Sequence, residues 1–134
     1  MLLMARADLC PTITELAPEE PARFNPDCLE ELCLKIGEVR AEAEVAQALH
    51  RLSEALPTLE GLLREDERGF LVAVEKLSKD AELIGMATLA RVARSVLDCF
   101  ATANHVGLAA TMARLERVGD RSIHAVWDLE DLSV

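Results

Sequence analysis

Apolar residues recur along this chain every three or four positions, in runs that polar or glycine and proline breaks separate. That spacing predicts amphipathic helices rather than strands. The first run opens at Asn25-Pro26, where asparagine suits a helix cap and proline the first helical position. Leu29, Leu32, Ile36 and Val39 then mark one face, and the period resumes at Ala46, Leu49, Leu52, Leu56, Leu59 and Leu63. Gly37 is placed to loosen the first stretch. Pro57 is placed to kink or break the second, because it removes a backbone donor and crowds the preceding turn.

Arg64-Glu65-Asp66-Glu67-Arg68-Gly69 reads as a charged connector. A further helix follows, with Phe70, Val74, Leu77, Ala81 and Ile84 on its inner face and Gly85 at its C-terminal end. The next runs from about Ala87 to Thr102 with Leu89, Val92, Val96 and Phe100 inward. Asn104 caps the last, whose inner face reads Leu108, Met112, Leu115, Gly119, Ser122, Val126 and Leu129. The expected fold class is all-α, an antiparallel four-helix bundle within residues 25–134 that carries an extra N-terminal helical segment. Residues 1–24 hold three of the five prolines and no sustained period, and are expected to form an extended or disordered arm. The tail from Asp128 is acidic and expected to fray. Leu77, Ile84, Leu89, Val92, Val96, Phe100, Met112 and Leu115 are expected in the core, and Glu75 and Lys79 outside it.

Composition sharpens this picture. Hydrophobic residues make up 51% of the 134 but aromatics only 3%, the palette of packed helices rather than sheets. With 24 acidic against 14 basic residues the net charge is -10. Such a surface repels phosphate backbones and anionic lipid, so neither nucleic acid nor membrane is an expected partner. Cys10, Cys28, Cys33 and Cys99 form no C-x-x-C, and Cys28 and Cys33 point in different directions on a helix, so no metal site is expected. Arg6 and Asp8 interrupt the apolar start Met1-Leu2-Leu3-Met4, and no run approaches ~18 apolar residues. The expected location is cytoplasmic, with reduced cysteines.

Residues 75–85 read Glu-Lys-Leu-Ser-Lys-Asp-Ala-Glu-Leu-Ile-Gly, and a second helical stretch from Thr88 to Leu97 follows. This resembles the core of a histidine-containing phosphotransfer (HPt) domain, whose pattern runs His-x-Leu-Lys-Gly-Ser-Ala-x-x-Leu-Gly. Leu77, Ala81, Ile84, Gly85 and Leu89 fall where the family has matching residues, best over residues 60–101. The phosphorylatable histidine is replaced by Glu75, and the Lys-Gly pair by Ser78-Lys79. The resemblance implies an HPt-like bundle and two-component partners, a response-regulator receiver domain or a histidine kinase. The departure implies a protein that is not an enzyme and needs no cofactor.

On a helical wheel with Phe70 at zero, the core set lies within about 40° of zero and Glu75 near about 140°. Glu75 is ringed there by Leu71, Val72, Ser78, Lys79 and Glu82, which are the expected partner-binding residues. An exposed carboxylate is a poor nucleophile toward phosphoryl donors, and its acyl phosphate would hydrolyse. It does put a negative charge where phosphohistidine would stand. The blander reading makes Glu75 a solvated residue on an ordinary helix. Two rivals differ in class: a working phosphorelay protein using His50, His105 or His124, and a helical module that self-associates as a homodimer. None of the three histidines is followed by Leu-Lys-Gly. The acidic runs Glu30-Glu31 and Glu65-Asp66-Glu67 lack a convergent base or nucleophile, and Trp127 reads as an anchor of the last helix.

Overall fold

A computed structural model of the chain describes residues 25–132, with side chains described through Val126. The expected arm, residues 1–24, lies outside the described residues, as do the side chains of Trp127 and Leu129. The fold is all-helical. Its elements are α1 (Pro26–Ile36), α2 (Glu38–Ala55), a 3-10 turn (Leu56–Thr58), α3 (Leu59–Glu65), α4 (Glu67–Leu83), α5 (Ala87–Ala101) and α6 (His105–Leu132). No β-strand occurs among the described residues.

Local chemistry sets the boundaries. The Asn25 side chain accepts a hydrogen bond from the Asp27 amide at 3.0 Å, with Pro26 in the first turn, so α1 starts where the sequence places it. Gly37 does more than loosen a helix: at φ 89° and ψ 156° it ends α1 and starts α2. Pro57 converts the end of α2 into the 3-10 turn. The charged connector shrinks to one residue, because Asp66 caps α4 by accepting from the Gly69 amide at 3.1 Å, and its charged neighbours are helical. At the end of α4 the Met86 amide donates to Ala81 O at 2.8 Å and the Gly85 amide to Glu82 O at 3.2 Å. This paired closure requires a left-handed residue at position 85, and Gly85 has φ 79°. Asn104 caps α6 by accepting from the Gly107 amide at 2.9 Å.

In the packing, α4 touches α2, α3 and α5, α5 touches α6, and α6 returns to α2, while α1 leans on α2 and the end of α4. Phe70, Val74, Leu77, Met86, Leu89, Val92, Val96, Met112 and Leu115 are buried where these helices meet. Ile84 and Phe100 were expected beside them but are half-buried, lying at helix ends against the rim of the core. Ala46 is exposed, so the apolar face of α2 is narrower than its spacing predicts. No residue of α1 is buried. Its inner residues Leu32, Cys33 and Ile36 are only half covered.

Candidate functional site

α4 carries Glu75 and the residues around it, and its capping and core face fix how the other residues point. Phe70, Val74, Leu77 and Ala81 turn inward, which sends Glu75 and Lys79 outward, and both are exposed. Val72 is 52% exposed beside them. Glu82 is exposed and accepts a 2.6 Å hydrogen bond from Arg94 Nη1 of α5. Leu71 is half-buried and packs against the core, so it presents only part of its side chain. Ser78 departs from the expected ring. At 7% exposure it is covered, which leaves Val72, Glu75, Lys79 and Glu82 as the outward surface. The reason is geometric: a helix flanked on one side by α5 and on the other by α2 buries a wider arc than its apolar residues alone mark.

Three residues near this surface carry no sign in the one-dimensional motif. Lys76 is exposed one position beyond Glu75, and helical phase alone places it outside. Arg94 supplies a cation from α5, a position that requires knowing how α4 and α5 pair. Arg51 of α2 donates to both carboxylate oxygens of Asp80 of α4, from Nε to Oδ2 at 3.1 Å and from Nη2 to Oδ1 at 2.9 Å. That hydrogen bonding, with the charge of Asp80, holds the Arg51 guanidinium above its ordinary range. It fixes the side of α4 opposite α5.

Chemically the surface offers charge and no nucleophile beyond carboxylates and amines. No ion pair joins Glu75 to Lys79 among the described residues, so both groups face solvent. None of the three histidines belongs to α4. His50 lies 3.2 Å from Glu54 on α2. His105 begins α6, and His124 Nδ1 is 2.7 Å from the Asp120 carbonyl. All three are exposed. No group of three histidine, cysteine or acidic side chains is set to hold a metal ion among the described residues. No helix among them is long and apolar enough to cross a membrane. Compared with protein-family models, curated proteins and solved structures, the chain matches none.

Proposed function

We propose that this is a non-catalytic, HPt-like protein that binds a two-component signalling partner, a receiver domain or a histidine kinase, and regulates it by occupancy. One observation carries the reading. A carboxylate, Glu75, stands exposed at the position where the HPt pattern has its histidine, on a helix whose other face is core. In this reading α2, α4, α5 and α6 are the antiparallel four-helix bundle and α1 is the additional N-terminal segment. The ring of contacts from α2 through α4, α5 and α6 back to α2 supports that arrangement. The fixed negative charge of Glu75 would meet the groups that a receiver turns toward phosphohistidine, with less charge and shorter reach than a phosphoryl group. No bond to phosphorus forms.

The test is radiolabel transfer from phosphorylated receiver domains to the purified chain. The parent protein should acquire no stable, acid-labile label. Glu75→His should acquire some, slowly, because the family's lysine is missing and Ser78, being covered, is a poor place to restore it. Label on the parent would overturn the reading and send the search to His50, His105 and His124 by single substitution.

Docking has its own expected outcome. Val72→Asp adds a charge to an exposed apolar contact without opening the core, and should weaken a receiver complex at least about tenfold by calorimetric titration. Leu71 is a poorer probe, since its packing against the core mixes binding with stability. Equal binding by Val72→Asp and parent would place the interface elsewhere.

A further inference from the structure

Pro57 denies α2 a backbone donor, and the 3-10 turn that results lays Leu56 onto α6. The landing point is Gly119, where a Cβ would sit only 2.6 Å from Leu56 Cδ1. Beside this close approach lies a groove of about 450 Å³ between the end of α2 and α6. Leu56, Pro57 and Ile123 make it apolar, and Ser53, Glu116 and Asp120 complete its lining. The Ser53 hydroxyl is already engaged, donating to Leu49 O at 3.0 Å. Glu116 and Asp120 lie one helical turn apart, both exposed, and neither carboxylate takes part in an ion pair among the described residues. Glu60 of α3, also exposed, follows Pro57 by less than a turn. Arg117 and Arg121 adjoin the two acids in sequence but are not among the lining residues.

We infer that this groove is a docking site for a cationic amphipathic segment of a partner protein. An apolar side chain of that segment seats on Leu56, Pro57 and Ile123. Lysine or arginine residues one turn apart on it meet Glu116 and Asp120, whose own spacing is about 6 Å. Charge selects the occupant. The chain carries a net charge of -10, so a second copy would bring like charge to an already acidic wall, whereas a basic segment is drawn to it. The groove shares no residue with the α4 surface, so the inference stands whether or not Glu75 contacts a receiver.

The experiment uses the full chain and a fluorescent probe, a helical peptide of roughly 18 residues built from leucine and lysine at amphipathic spacing. Fluorescence anisotropy should show saturable binding, and amide exchange should slow from Ser53 to Leu56 and along α6 around Asp120. Glu116→Lys with Asp120→Lys should weaken binding at least about fivefold, with the circular dichroism spectrum unchanged because both sites are exposed. Glu30→Lys with Glu31→Lys makes the same change in net charge on exposed sites of α1 and should leave the affinity as it is. Equal weakening by the two double variants would show attraction to bulk charge and overturn the proposal. So would protection that maps to α1 or α4, or no binding at all.

Discussion

Replacing Phe70 with alanine should lower the stability of the protein by about 3–5 kcal/mol, the upper range for a single core truncation. Phe70 is fully buried on α4, and its ring lies 5.8 Å from that of Phe100 at a 39° tilt. Truncation would remove the transfer free energy of the side chain, leave a void among Val74, Leu77 and their neighbours, and strip Phe100 of its ring partner. The last of these reaches α5, so the loss would loosen the α4–α5 contact as well as the interior of α4. Phe100→Ala should cost visibly less, because Phe100 is half-buried and leaves a void open to solvent. Urea titration with an unchanged m-value is the appropriate measurement. A loss under about 1 kcal/mol for Phe70→Ala would mean that α4 does not pack with this face inward.

The second large effect should come from Gly85→Ala, at roughly 2–4 kcal/mol, from two causes that add at one atom. The backbone at position 85 sits at φ 79°, where an L side chain is strained. A Cβ there would also lie 2.5 Å from Asn25 O, which is backbone and cannot rotate away. The same neighbours are tied by a 2.7 Å hydrogen bond from the Asn25 amide to Gly85 O. Gly85→Asn separates the causes, since asparagine tolerates left-handed φ but still carries the Cβ. If thermal unfolding finds the asparagine variant as stable as the parent, the close approach of Asn25 is not what makes glycine necessary.

Helix identity and most helix ends were legible in the sequence because the signals that set them are local. Asn25, Gly85 and Asn104 act within a turn of themselves, and each does what its residue type predicts. The junction at Asp66 was not legible, for a related reason. A run of charged residues reads as loop by composition, yet glutamate and arginine are good helix formers, and one aspartate suffices to cap. Ser78 shows a second kind of limit. Its place on the wheel is computable, but whether that place is covered depends on how closely α5 approaches, which the period of α4 does not encode. Glu75 and Lys79 lie far enough around the helix for phase alone to settle their exposure. The groove could not have been read at all. It lies between the end of α2 and α6, and its lining residues are far apart in the chain and share no local pattern.

α1 contributes no fully buried residue and has Gly37 at its far end. Its near end is held by the backbone bond between Asn25 and Gly85. Such a segment should open on its own, because little apolar area and one backbone hydrogen bond hold it. Its amides should therefore exchange with solvent sooner than those of α4 and α5, which the core covers. A substitution at Gly85 consequently acts twice, straining the α4–α5 turn and releasing α1. Two tiers of cooperativity are the expected result, with the boundary between them at Gly37.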